Sequence, residues 1–173
     1  MSDKLNMNAV LAQLQSADER LVKDALATIR TQGDARAIRP LIELYCSAED
    51  EDVKRQITAM LYQVKVKGAV EELMGSLEDP RLTDSRALVL ATLWNAGLDA
   101  RDHLGEIITC ALEGHSDVCF EALTVVEHQE LWPDRAVRTA ALRVEKALPL
   151  ETDPYKRDLL NDLVGLLRER IGG

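Results

Sequence analysis

The chain has 173 residues, 46% hydrophobic and 29% charged, a balance that excludes wholesale disorder and allows one unit with a sizeable core. One Phe, two Trp and three Tyr are the only aromatics, so the interior must be built from Leu, Ala, Val and Ile, which favours helices over sheets. Lys and Arg total 21 against 30 Asp and Glu, a net charge of -9, and this surplus of carboxylates argues against binding to a phosphate backbone.

Apolar residues recur at helical spacing almost from end to end. Met7, Val10, Leu11 and Leu14 form the first stripe, and Leu21, Ala25 and Ile29 the second. Ile38, Leu41, Ile42 and Tyr45 follow, then Val53, Ile57, Leu61 and Val64. Later stripes run through Val70, Leu73 and Met74, through Ser85, Val89 and Leu93, through Leu104, Ile107 and Ile108, and through Val118, Ala122 and Val126. Two more helices are predicted over residues 133–148 and 154–171, and no stretch alternates long enough to make a strand. The helices are predicted to run about 11 to 18 residues.

Polar breaks between the stripes carry helix signals. Ser16 to Glu19 has the spacing of a capping box. Asp52, Asp84 and Asp117 are read as N-caps, Asp153-Pro154 as an N-cap followed by proline at the first helical position, and Gly33, Gly97 and Gly114 as C-terminal caps. In the terminal stretch Leu159, Leu160, Leu163, Val164 and Leu167 form one stripe, and Lys156, Arg157, Asp158, Asp162, Arg168 and Glu169 are predicted to face water.

Aligned, the helices repeat. Every second helix begins its stripe 32, 32 and 33 residues after the last, and Ile38, Leu41 and Ile42 return as Val70, Leu73 and Met74. The run Gly33-Asp34-Ala35-Arg36-Ala37-Ile38-Arg39-Pro40-Leu41, leading through an acidic loop to Glu51-Asp52-Val53-Lys54, resembles a HEAT repeat of the short bacterial variety named after phycobilisome lyases. The resemblance implies an all-α fold, a right-handed α-solenoid of about five antiparallel helix pairs in one domain. The units span about 3–32, 33–66, 67–98, 99–130 and 131–173, the last a degenerate C-terminal cap. One helix pair cannot bury both its inner seam and its outer faces, so each pair is completed by the next.

Assembled chemistry is absent from the sequence pattern. His103, His115 and His128 have no His-x-x-x-His spacing, and no phosphate loop, dinucleotide fingerprint or nucleophile elbow occurs. The run Glu49 to Asp52 lacks the glycine turn of a calcium loop. No catalytic residue, metal or cofactor is therefore expected. Cys46, Cys110 and Cys119 lack metal spacing and are read as small buried hydrophobes of a cytoplasmic protein with no leader segment, and no apolar run is long enough to span a bilayer.

The face of the second helices carries the candidate site. Repeat spacing sets Arg30, Tyr62, Trp94 and Glu127 in one column, Thr31, Gln63, Asn95 and His128 in a second, and the small residues Ala27, Ala59, Ala91 and Thr124 between them. Amides can bond the backbone of an extended peptide, and Arg and aromatic side chains can cover its side chains. The residues expected to bind a partner are thus Arg30, Tyr62, Gln63, Trp94, Asn95, Glu127 and His128, with packing between repeats as the competing role for Tyr62 and Trp94. Phe120 and Trp132 are expected in the core. The leading expectation is a non-enzymatic module binding a protein or peptide on the concave face of the solenoid. Its alternatives are a HEAT-like DNA glycosylase, opposed by the charge, and a tetrapyrrole chaperone resembling phycobilin lyases.

Overall fold

The computed structural model describes residues 6–171, and all regular structure among them is helical. In chain order the helices are α1 (Met7–Gln13), α2 (Glu19–Gln32), α3 (Ile38–Ser47), α4 (Glu51–Leu61), α5 (Ala69–Glu78), α6 (Arg86–Asn95), α7 (Leu104–Glu113), α8 (Ser116–His128), α9 (Asp134–Ala147) and α10 (Pro154–Ile171). Four 3-10 turns lie at Ala35–Ala37, Pro80–Ser85, Arg101–His103 and Leu148–Leu150. They take residues that the periodicity assigns to α-helix. Next to them α3, α5, α6 and α7 have 10 residues each, and α1, which no such turn borders, has only 7, all shorter than expected. The ends of the first and last units, residues 3–5 and 172–173, lie outside the described residues.

Capping follows a rule that the stripes do not reveal. Asp18, Asp34, Asp79 and Asp99 each accept the backbone N–H of the residue two places on, and that residue is an Arg whose guanidinium folds back onto the same carboxylate. One Asp-x-Arg device thus opens α2 and three of the tight connections, satisfying free N–H groups with an ionised acceptor. The Ser16–Glu19 capping box does not form, because Asp18 is nearer the helix start and Ser16 Oγ accepts from Asp18 N instead. Asp50 caps α4 in place of Asp52, which sits in the first turn, and Asp84 and Asp117 likewise lie inside helical turns. Asp153 does cap α10, accepting from Tyr155 N at 2.9 Å and Lys156 N at 3.3 Å.

Two glycines act for different reasons. Gly97 has φ +60°, and the turn it makes lets Leu98 N–H reach the Leu93 carbonyl at 2.9 Å, closing α6. Gly114 is extended, but a Cβ there would lie 2.6 Å from Val118 Cβ and 2.8 Å from the Cys110 carbonyl. Close approach, not backbone conformation, requires it.

The helices pack in a regular order. Each of the pairs α1–α2, α3–α4, α5–α6, α7–α8 and α9–α10 is in contact, and so are alternate helices along the series α3, α5, α7, α9 and along α2, α4, α6, α8, α10. One apolar cluster runs from Met7 to Leu167. Its fully buried Leu and Ile side chains, Leu26, Ile42, Ile57, Leu73, Leu90 and Ile107 among them, contribute about 1.5 to 3 kcal/mol each by removal from water.

The observed burial corrects several residue-level expectations. The buried side of α2 is Val22, Ala25, Leu26 and Ile29, leaving Leu21 39% exposed. Phe120 is 46% exposed, because its place on α8 is turned away from the seam formed by Val118, Cys119, Ala122, Val125 and Val126. Trp132 is core as expected, its Nε1–H donating to the Val126 carbonyl. Cys110 and Cys119 are buried, burial pushing the Cys119 thiol up to about 11, whereas Cys46 is exposed near the end of α3. Lys156 does not face water. It is buried, and its ammonium donates to the carbonyls of Leu112 at 2.8 Å and Gly114 at 2.7 Å while pairing with Glu151 at 3.2 Å.

That lysine belongs to a set of ties across the chain. Arg170, at the end of α10, donates to the carbonyls of Glu127, Gln129 and Glu130 at the end of α8, as Lys156 does at the end of α7. Cations on the last carbonyls of a helix satisfy free acceptors and meet the negative end of its dipole. A further tie joins α3 to the turn between α5 and α6. Arg39 on α3 pairs with Asp79, whose side chain is 7% exposed and also holds Arg81. Hydrogen bonds from Arg81, with the nearby charge of Arg39, lower the Asp79 carboxyl to about 2.

Candidate functional site

The second helices expose different amounts of themselves. On α4 the buried residues Val53, Ile57 and Leu61 form a single stripe, and the other sides are polar, with Asp52, Lys54, Arg55 and Gln56. On α6 six consecutive residues, Leu88 to Leu93, are buried, so this helix is covered on all sides. Ala91 is 3% exposed and does not belong to an outward row of small residues; Ala27 and Ala59 are exposed. The row breaks where α8 closes over α6.

The seven predicted partner residues fall into two groups and a remainder. Arg30 and Gln63 line a groove of about 590 Å³ between the C-terminal halves of α2 and α4, floored by Ile38, Leu41 and Leu61. Trp94 and His128 line a second groove of about 390 Å³ at the ends of α6 and α8, with Asp99, Arg101 and Gln129. The two grooves are related by a nearly constant sequence spacing: Trp94 and Gly97 stand 64 residues after Arg30 and Gly33, and His128 stands 65 after Gln63. Tyr62, Asn95 and Glu127 line neither.

Contacts within the second groove are well defined. Trp94 Nε1–H donates to Glu121 Oε2 at 2.8 Å, and its ring meets the His128 ring at 5.1 Å between centroids and 34° between planes. His128 Nδ1 lies 2.9 Å from the Thr124 carbonyl oxygen, which can only accept, so Nδ1 carries the proton and Nε2 is left for other bonds. Asn95 bonds back to the Ala91 carbonyl of its own helix at 2.9 Å. The Glu127 carbonyl accepts from Arg170. Half-buried Tyr62 packs against the core cluster, and burial first, then the charge of Glu121, raises its phenol.

In the first groove Arg30 Nη2 donates to Gln56 Oε1 at 3.3 Å. Arg55 pairs with Asp52, and Asp34 is held by Arg36 at 2.7 Å, which lowers its carboxyl. Lys65 donates to the Ala96 carbonyl at the end of α6. Column reasoning misses Lys65, Gln56 and Met60 as groove residues. Lys65 lies past the end of α4, in a connection that helix alignment does not cover, although its place two residues after Gln63 puts it beside the same groove. Among the described residues no three His, Cys, Asp or Glu side chains come together as a metal cluster, and no helix is long and apolar enough to cross a membrane. Compared with family models and with curated proteins, the chain matches none of them.

Proposed function

We propose that the chain is a right-handed HEAT-like solenoid of about five helix pairs that binds a protein or peptide partner without catalysing a reaction, using the face of its second helices. The packing order supports the architecture, each helix touching its pair partner and the next helix of its own kind. The observation that carries the function is the recurrence of a groove at the same place in the unit, with Arg30 and Gln63 on one and Trp94 and His128 on the other. Grooves of a few hundred Å³ accept short segments of chain. Mixed apolar, amide and charged walls suit recognition of an extended peptide.

Site-specific photo-crosslinking tests this. With a photoreactive residue at Gln63 or at His128, partner peptides should be recovered from host extract and sequenced, and the Arg30→Ala and Trp94→Ala variants should reduce their yield. With the same probe at Glu71, on the first-helix side, they should be absent. Equal recovery at all three positions, or none at Gln63 and His128, would reject the reading.

A further inference from the structure

The groove between α2 and α4 is an electrostatic exception on this chain. Its walls carry Arg30, Arg55 and Lys65 against Asp34 and Asp52, in a protein whose net charge is -9. The two carboxylates are already matched, Asp52 by Arg55 and Asp34 by Arg36. Arg30 has only an amide partner, Gln56, and Lys65 only a carbonyl, that of Ala96. Among the described residues neither is paired with a carboxylate. A guanidinium has five donors and an ammonium three, so both retain donors for an incoming anion. Between these cations lies apolar surface from half-buried Met60, Val64 and Val66. Met is a flexible, polarizable wall that adapts to aliphatic side chains of different shape.

We propose that this groove takes a short acidic and aliphatic peptide segment of a partner protein, with an Asp or Glu carboxylate on Arg30 and Lys65 and a neighbouring aliphatic side chain against Met60 and Val64. The proposal rests on the peptide-binding reading above and narrows it to one sign of charge. A nucleic acid also presents anions, but its extended row of phosphates would run beyond the groove onto a chain that carries 30 Asp and Glu against 21 Lys and Arg. A peptide carboxylate is a single charge flanked by neutral apolar surface, which matches the walls.

The test is selection from a random heptapeptide display library against the full chain, with Arg30→Gln/Lys65→Gln and Arg30→Glu as parallel targets. Both changed positions, Arg30 and Lys65, carry exposed side chains, and unchanged circular dichroism checks the fold. Peptides enriched on the wild type should pair Asp or Glu with Leu, Ile, Val or Met. Their affinity should fall at least about tenfold on the Gln double variant, because charge-assisted bonds are lost. On Arg30→Glu the enrichment should move toward Lys and Arg. No enrichment, enrichment of basic or uncharged sequences on the wild type, or tighter binding of a labelled 20-mer duplex DNA than of any selected peptide would overturn the proposal. If cross-links at Gln63 identify partner peptides that are not acidic, the peptide-binding reading survives and only the acidic preference fails.

Discussion

The series α2, α4, α6, α8 and α10 is packed differently at its two ends. Between α2 and α4 contact is sparse and a groove of about 590 Å³ opens; from α6 to α8 and α8 to α10 the helices are in extensive contact. Side chains at the approach decide which occurs. On α6 only Arg86 is charged, and α8 offers the small buried residues Cys119 and Ala122, so the two can close together. On α4 the flanks are Asp52, Arg55 and Gln56, and on α2 Arg30, polar groups whose charged or amide ends are held toward water. Close packing makes the C-terminal part a support, and polar flanks leave the N-terminal part a surface.

Removing core from the closely packed part should have the largest effect. Leu90→Ala on α6, at 0% exposure, should lower stability by about 2 to 5 kcal/mol in chemical denaturation. Arg30→Gln at the groove should stay within about 0.5 kcal/mol. Similar losses from both would break the comparison. Next is the tie between α10 and α7. Lys156→Met strands two carbonyls and the Glu151 carboxylate, and should destabilise by about 1 to 3 kcal/mol, a loss absent from Lys146→Met on the exposed side of α9.

Acid sharpens the comparison from the middle of the chain, where Asp79 joins α3 to the turn before α6. The Asp79 carboxyl is lowered to about 2, against about 3.9 for a free aspartate. Its contribution is therefore complete above about pH 4 and is lost as pH falls toward 2. Asp34, Asp99 and Glu151 are lowered as well and act in the same direction. Stability measured from pH 5 to 2 should fall less steeply in Asp79→Asn than in the wild type; parallel curves would remove Asp79 from the acid limb.

The all-helical character and the order of the helices were legible because the apolar stripes recur at 3.6 and the polar breaks are short. Exact faces were less so. Fixing repeats by the strongest alignable positions placed Leu21 in the stripe, while Val22 and Leu26 are the buried residues beside Ala25 and Ile29. The same alignment put Ala91 outward, although the sequence RALVLATLWN of α6 is apolar nearly all round, the pattern of a fully covered helix. Lys156 was assigned to water by residue type; nothing local in sequence announces that the carbonyls of Leu112 and Gly114 wait beside it. Of the candidate site, Arg30 shares a groove with Gln63 and Trp94 with His128, pairings across neighbouring second helices that the separate columns did not specify. The packing of Tyr62 depends on distances between helices, which no periodicity encodes, and Asn95 turns back onto the Ala91 carbonyl of its own helix, a side-chain rotamer that residue type does not fix.

The most direct measurement is amide hydrogen exchange with and without a peptide selected on the wild type. Unliganded, α6 and α8 should exchange slowest, and α2 and α4 faster, through openings short of global unfolding. With peptide, protection should rise in α2, α4 and the connection Gln63 to Val66, leaving α9 and α10 unchanged. Slowest exchange in α2 and α4, or new protection confined to α9 and α10, would contradict the division into a supporting part and a binding part.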